Sequence, residues 1–500
     1  MIPVVILGAG PTGLTAAALL ARYGVECLVL DRWETVYPRP RAVHLDDEVY
    51  RILARLGLRD EFAAISRPGL GLRLLDRDMR ILAEFQRDTA NSRHGYPQAN
   101  MFDQPDLEAI LRANLERHPH VALRGNAEVT GLVQDGDGVR VDCTDRVTGD
   151  REHVHARYVL GCDGANSLAR ASIGAAMRDL RFEQRWLVVD VATEADLAQW
   201  EGVHQVCDPV RAATYMRVGA ARHRWEFRLR GGETAEDYRE MARLHPLIRP
   251  WTGGVPAGDL EPLRVAEYTF RAQIADRWRD RRVFLLGDAA HLTPPFIGQG
   301  MGSGMRDALN LAWKLAGVLD RTLPAGALDT YQAEREPHAR ALIRNAKLVG
   351  TAMTEGGGPG DLLRRAVAPR LRLVPGLREQ IANSATPALR RSGLVARSRP
   401  GRALAGRLCP NAPLDGGRRF DDVAAGRFAI VTATEPSAGQ RAEIERRGAV
   451  VITTGRGDAL DHWLRRGRVD AAIVRPDGTV LRAGRLSALH TVLPAFGAVV

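Results

Sequence analysis

The chain has 500 residues, 45% hydrophobic and 26% charged, and its 70 basic and 60 acidic side chains leave a net charge of +10. That length exceeds one ordinary domain and implies roughly two to four, with a composition suited to a sizeable globular core. The positive balance comes from arginines spread along the chain. No basic block interleaves with aromatics, so nucleic acid is not an expected partner and high-GC coding bias accounts for the arginines. The cysteines, Cys27, Cys143, Cys162, Cys207 and Cys409, form no CxxC pair, which argues against a disulfide scaffold, a zinc site and a dithiol centre. No apolar run reaches the roughly 20 residues that span a bilayer, and the start carries no signal-peptide pattern. No membrane association is expected, and the expected location is cytoplasmic.

The predicted elements begin with a strand at 4–7 that runs into Gly8-Ala9-Gly10-Pro11-Thr12-Gly13. A helix at 14–23 follows, then a strand at 26–30 that ends on Asp31. Gly8 allows a tight turn, Gly10 lets a pyrophosphate reach the backbone, and Gly13 lets helix and strand approach closely. The helix N-terminus offers unpaired N–H groups to phosphate, and Asp31 stands where a carboxylate would bind a ribose. This spacing alone does not separate FAD from NAD. Up to about residue 175 the chain alternates strand and helix, and then strand-like segments at 186–191, 214–218 and 224–229 suggest a sheet used as a cover.

Two later strands deliver an aspartate at their carboxyl ends, where open α/β sheets bind ligands. The first is Tyr158-Val159-Leu160-Gly161-Cys162-Asp163-Gly164-Ala165-Asn166-Ser167, continuing to Arg170. The second is Val283-Phe284-Leu285-Leu286-Gly287-Asp288-Ala289-Ala290-His291, continuing through Pro294-Pro295-Phe296-Ile297-Gly298-Gln299-Gly300 to Asp307. The glycines between 298 and 304 precede a helical run at 307–316 and form another nest for polar cofactor atoms. A long helix is predicted at 328–353, a break at Gly356-Gly357-Gly358-Pro359-Gly360, and a tail from about 402 with βαβ rhythm. A hairpin over 471–481 turns on Pro476-Asp477-Gly478.

These three glycine and aspartate motifs, in this order, resemble the class A flavoprotein monooxygenases, the single-component aromatic hydroxylases. The segments Arg39-Pro40-Arg41-Ala42-Val43-His44-Leu45-Asp46-Asp47-Glu48, 102–108, 186–191 and 268–272 are similar to the 3-(3-hydroxyphenyl)propionate hydroxylase and polyketide hydroxylase subgroup. The resemblance implies an α/β fold: a Rossmann-like FAD-binding domain, an inserted mainly β substrate domain and a C-terminal thioredoxin-like domain. The boundaries expected are 1–175 and 271–355 for the FAD domain, 176–270 for the substrate domain, 356–401 for a helical linker and 402–500 for the tail. The tail lacks the CxxC of a redox thioredoxin, so a structural or oligomerisation role, compatible with a homodimer, is expected of it.

The same resemblance implies FAD as cofactor, NADH or NADPH as co-substrate, dioxygen, and a small aromatic substrate. Reduced flavin would form a hydroperoxide whose distal oxygen passes to an electron-rich ring, while the protein binds, orients and excludes water. The cofactor would be held by Gly8, Ala9, Gly10, Pro11, Thr12, Gly13, Asp31, Arg32, Arg41, Gln104, Asp163, Gly287 and Asp288, and by the flavin loop at Pro295, Gly298, Gly300, Met301 and Gly302. Many members carry Asn where this chain has Gly302, which puts a side-chain role there in question. Duller roles stand beside these. Asp163, Asp288 and Gln104 could serve helix N-termini, Arg41 a surface ion pair, and His291 the packing of the core. His44 is the candidate base toward a phenol. On the same fold, Baeyer–Villiger oxygenation or another flavin oxidation or reduction is the alternative, ahead of an NAD-dependent dehydrogenase or a non-catalytic flavin protein.

Overall fold

The structure, a computed structural model, describes residues 1–37, 41–90, 92–355, 386–397 and 404–497. Its first sheet is built on parallel strands. Ile2–Leu7 lies between Cys27–Leu30 and Arg151–Gly161, and Val283–Leu285 pairs beyond the latter. Val121–Arg124 extends the sheet past Cys27–Leu30, also in parallel. Strands buried on both faces read as unbroken apolar runs rather than alternations, and residues 4–7 are all essentially inaccessible. The helices, in chain order, are α1 (Pro11–Ala21), α2 (Asp47–Arg55), α3 (Arg59–Ile65), α4 (Gln104–Glu116), α5 (Leu168–Ser172), α6 (Met241–Thr252), α7 (Gly300–Leu319) and α8 (Thr330–Thr354). Helix α7 packs along α1, so the two glycine-rich N-termini meet at the carboxyl ends of the strands. No helix among the described residues is long and apolar enough to cross a membrane.

The second sheet runs, from edge to edge, through His291–Leu292, Glu261–Ala275, Met177–Ala192, Arg222–Arg228, Ala213–Arg217, Val203–Val206, Gly71–Leu75 and Ile81–Gln86. Its period-2 alternation sorts two faces. Leu187, Val189, Tyr215, Trp225 and Phe227 pack with Leu244, Ile248 and Trp251 of α6. Val188, Thr214, Met216, Arg224 and Glu226 turn the other way, into a cavity. The boundary expected at 176–270 is too narrow for this sheet. Gly71–Leu75 and Ile81–Gln86 come from within 1–175 and join through a parallel pairing of Gly71–Leu75 with Val203–Val206, and the Glu261–Ala275 strand runs past 270. A parallel partner so distant in sequence leaves no local signature.

In the tail, Ala429–Thr432 pairs in parallel with Val450–Thr453 across the helix Ala438–Arg446. It also pairs antiparallel with Ala471–Val474, which pairs in turn with Val480–Gly484. The helices Ala459–Arg466 and Leu486–Leu489 complete a β-α-β-α-β-β-α order, the thioredoxin-like topology. The hairpin turn closes through an Arg475 N–H to Thr479 carbonyl bond of 2.8 Å, with Gly478 at φ +83°. Cys409 is buried and its thiol is pushed up by that burial, so this domain holds no reactive thiol pair. The glycine break at 356–360 lies outside the described residues. So does most of the linker, whose described part, 386–397, contains a bridge between Ser392 and Val395 and no helix.

The tail is docked by buried charge. Asp421 accepts from Arg51 and Arg55 of α2 at 2.6 to 2.8 Å, and Arg51 also donates to the Cys409 carbonyl at 2.6 Å. Arg475 donates to Glu334 of α8 at 3.0 Å, where Lys314 of α7 also binds at 2.9 Å. Trp313, Phe428 and Phe496 meet edge to face at centroid distances of 5.5 to 5.9 Å, so one apolar core continues from the first domain into the tail.

Candidate functional site

One cavity of about 1160 Å³ runs from the first glycine turn to the second sheet. Ala9, Gly10, Pro11, Thr12, Asp31 and Arg32 line one end; Arg41, Gln104, Asp163 and Asp288 line the middle. His44, Pro295, Gly298, Gly300 and Met301 lie toward the second sheet. Gly8 also lines the cavity, whereas Gly13, Gly287 and Gly302 stand behind its wall.

The first turn exists because two side chains are missing. Gly8 has φ +99°, and a Cβ there would lie 2.5 Å from the Cys162 carbonyl oxygen. A Cβ on Gly13 would lie 2.0 Å from the Gly8 carbonyl oxygen. Gly10, by contrast, has open space on its Cβ side. Helix α1 starts at Gly10 and Pro11 and helix α7 at Gln299, and neither N-terminus has a side-chain cap among the described residues. Two uncapped helix N-termini opening on one cavity provide the unpaired N–H groups and partial positive charge that a pyrophosphate needs. Asp31 crosses from the second strand to this turn, accepting from the Ala9 N–H at 2.5 Å and the Trp33 N–H at 2.8 Å.

Asp163 and Gln104 spend their polar groups on the scaffold. Asp163 accepts from the Ser167 hydroxyl at 2.6 Å and the Ala169 N–H at 3.0 Å, and Arg170 ties the same turn to the Ala165 and Ala289 carbonyls. Its carboxylate thus serves the start of α5, the role weighed against direct cofactor contact. Gln104 is the first residue of α4, and its carbonyl oxygen accepts from the Arg41 and Ala42 N–H groups at 2.9 and 2.7 Å. It therefore positions the backbone that carries Arg41. Asp288 has no hydrogen bond from any described residue, and burial raises its pKa despite His291 and Arg41 nearby. An unpartnered carboxyl at the cavity suits a hydroxyl-bearing ligand. His291 is fully buried and bonds Asp307 at 2.7 Å, a packing role.

At the flavin loop, Gly298 is left-handed at φ +62°, and a Cβ there would meet His44 Nδ1 at 2.7 Å. That nitrogen is buried without a partner of normal geometry. Burial and then Arg87 lower the His44 pKa to about 4, so the ring is neutral at pH 7, although Asp46 and the Gly298 backbone pull the other way. Behind the loop, Arg306 donates to Gln299 at 3.0 Å and to Asp46 at 2.6 Å and pairs with Glu48 at 2.9 Å. A Cβ at Gly302 would sit 2.9 Å from Val49 Cγ2 and 3.0 Å from Arg306 Nη1. Arg306 thus occupies the space that an asparagine would claim. In the second sheet, the Gln205 amide donates to the Phe296 carbonyl at 2.9 Å, joining that sheet to the loop. Sequence reasoning missed Arg306, Gln205 and Glu226. Arg306 could have been suspected as the lone charge preceding Asp307 in a glycine-rich start, but the other two depend on strand register.

The residues present fit the expected dinucleotide: a cradle that a methyl group would fill, two uncapped helix starts and an unpartnered carboxyl share one elongated cavity. Residues 1–346 match the model of the family described as FAD binding domain. A protein of Rhodococcus jostii (strain RHA1) named "Probable NADH-specific resorcinol 4-hydroxylase" is 39% identical over 354 residues, covering 71% of this chain and 66% of that one. A 3-(3-hydroxy-phenyl)propionate/3-hydroxycinnamic acid hydroxylase of Mycobacterium sp. (strain KMS) is 37% identical over 400 residues, covering 79% and 65%. The chain thus spans just under two thirds of the length of these two relatives. Among solved structures, the flavin-dependent monooxygenase PieE in complex with FAD and substrate superposes with a TM-score of 0.81 at 25% identity, covering 99% of this chain and 97% of that one.

Proposed function

This chain belongs to the FAD binding domain family, and we propose that it is an FAD-dependent hydroxylase of a small aromatic, phenolic substrate, using dioxygen and NADH. The single observation that carries this reading is the continuity of the cavity, from the Gly8–Gly13 turn to a wall of Val188, Met216 and Phe270 broken by a few polar groups. The name of the Rhodococcus relative favours NADH over NADPH and a phenol as substrate.

In this reading the helix N-termini of α1 and α7 hold the pyrophosphate. Asp31 fixes the first turn and meets the adenosine ribose with Arg32, and Arg41 and Asp288 contact the phosphate and ribityl region. Bound flavin supplies hydride acceptance and oxygen activation. The chain's own task is to hold the ring beside the 295–302 loop and keep water out, which the second sheet does as a cover. His44 braces that loop through Gly298 as a neutral imidazole. The division at 1–175, 176–270 and 271–355 is kept as a functional one, with strands from 71–86 added to the cover. A soluble nicotinamide donor fits a cytoplasmic setting.

The test is direct. Purified protein should be yellow with about one FAD per chain. Resorcinol or 3-(3-hydroxyphenyl)propionate should accelerate NADH oxidation, with oxygen consumed and one oxygen atom added to the product by mass. Flavin-loaded protein whose NADH oxidation responds to no phenol would defeat this reading.

A further inference from the structure

The cavity wall formed by the second sheet carries a carboxylate for which no described residue supplies a partner. Glu226 pairs in register with Val188 on one side and Thr214 on the other, at the centre of the cavity-facing surface. Its sequence neighbours Trp225 and Phe227 are locked into the opposite, apolar face, which fixes the direction in which Glu226 points. Each cation nearby is engaged elsewhere. Arg224 gives two hydrogen bonds to Asp190, at 2.6 and 2.9 Å, and a third to the Arg41 carbonyl at 3.0 Å. Arg222 binds Asp190 at 3.0 Å and also Asp103. Arg264 donates to the Tyr268 hydroxyl and stands 4.0 Å from Asp190. No described residue hydrogen-bonds to the Glu226 carboxylate, and desolvating a carboxylate without a partner is unfavourable. Met216, Phe270 and Val188 line the same cavity with the flat apolar surface a ring requires.

We propose that Glu226 is the base of the substrate pocket, accepting the hydrogen bond of a ring hydroxyl and taking its proton as the ring is oxygenated. The inference rests on the hydroxylase reading above and sharpens its substrate class to rings with a free hydroxyl that meets this carboxylate. A ring carboxylate at the same point would face like charge. The balance is that of a monooxygenation: ring, dioxygen, NADH and a proton give hydroxylated ring, water and NAD⁺. The O–H bond breaks toward Glu226 and its electron pair flows into the ring. As the new C–O bond forms, the O–O bond of the activated dioxygen breaks and its other oxygen leaves as water, and the proton on that ring carbon departs as aromaticity returns. A hydroxyl becomes more acidic as its ring gives up electron density, so a carboxylate can receive its proton at that stage.

Burial holds Glu226 above the ordinary carboxylate range; Asp190 on the Met177–Ala192 strand adds to this, while Arg224 on its own strand and Arg264 on Glu261–Ala275 oppose it. Tyr268, Gln205 and Thr214 also line the cavity, and His44 lines it from the strand His44–Asp46. A base must be ionised to act. Activity is therefore expected to fall on the acid side at a pH above the usual glutamate range.

The experiment compares holoenzyme with Glu226→Gln and Glu226→Asp, using resorcinol as substrate and as spectroscopic ligand. Glu226→Gln should keep its flavin and still perturb the flavin spectrum on binding resorcinol. Its kcat/KM for hydroxylation should drop about a hundredfold or more, the acid limb should vanish, and residual NADH oxidation should divert to hydrogen peroxide. Glu226→Asp should restore part of the rate and the limb. A Gln variant within twofold of the parent, or one that keeps the acid limb, overturns the assignment of Glu226 while leaving the hydroxylase reading standing. A parent enzyme that hydroxylates no phenol overturns both.

Discussion

A methyl group on Gly13 would collide with the Gly8 carbonyl oxygen, and one on Gly8 would both force a left-handed alanine and strike the Cys162 carbonyl. Neither neighbour moves easily, because both are backbone carbonyls just past the ends of Ile2–Leu7 and Arg151–Gly161, where Gly8 and Cys162 are tied by their N–H groups to Leu30 and Leu7. Gly13→Ala and Gly8→Ala should therefore leave the protein colourless or reduce its FAD content at least tenfold, measured as bound flavin per chain after desalting. At Asp31 the expected loss is of a different kind. Asp31→Ala removes the acceptor for the Ala9 and Trp33 N–H groups, so FAD should bind more weakly by roughly 1–3 kcal/mol, read by titrating apoprotein. These glycines and Asp31 were legible in the sequence because their constraint is local, a turn between one strand and the next helix. Glu226 and Gln205 were not, since their position depends on pairings of Arg222–Arg228 with Met177–Ala192 and of Val203–Val206 with Gly71–Leu75, across long sequence gaps. Asp163 and Gln104 were expected to hold the cofactor; both line the cavity, and their partners Ser167, Ala169 and the backbone at 41–42 could be read only from the structure.

Helix α2 is short and charged, and its charges are distributed between its two ends. Asp46 caps its start by accepting from the Val49 N–H at 2.9 Å, and with Glu48 it grips Arg306. Arg51 and Arg55, near its end, converge on Asp421 of the tail. Burial works against the Asp421 carboxylate, but the two guanidinium groups hold its pKa well below the usual range. Asp421→Ala should destabilise the protein by roughly 3–5 kcal/mol, since it strands two buried arginines; the measurement is a lowered urea midpoint for the tail. Among the elements, the parallel strands and the long helices could be read from apolar runs and periodicity. The Gly71–Leu75 and Ile81–Gln86 strands could not, as their membership in the second sheet is settled by Val203–Val206, far along the chain.

At the scale of the molecule, the tail and the first domain share one core and, besides the Asp421 pairings, a second buried ionic cluster. Glu334 sits at its centre with Lys314, Arg475, Asn310 and Ser392 around it. Burial would raise its pKa, yet Arg475 and Lys314 lower it from 4.5 to about 2. A carboxylate depressed in the folded state contributes stability that is present above its unfolded value and lost as pH falls toward the folded one. Stability should thus be retained at neutral pH and decline between pH 4.5 and about 2. Glu334→Gln should flatten that decline in acid-titrated unfolding while lowering stability at pH 7. Because α2 is held by the flavin loop at one end and by the tail at the other, damage to either anchor is transmitted along a rod of nine residues. A domain without redox cysteines can then act as a buttress, and loosening it would bleach the protein: visible colour would report the docking of a module none of whose described residues lines the cavity.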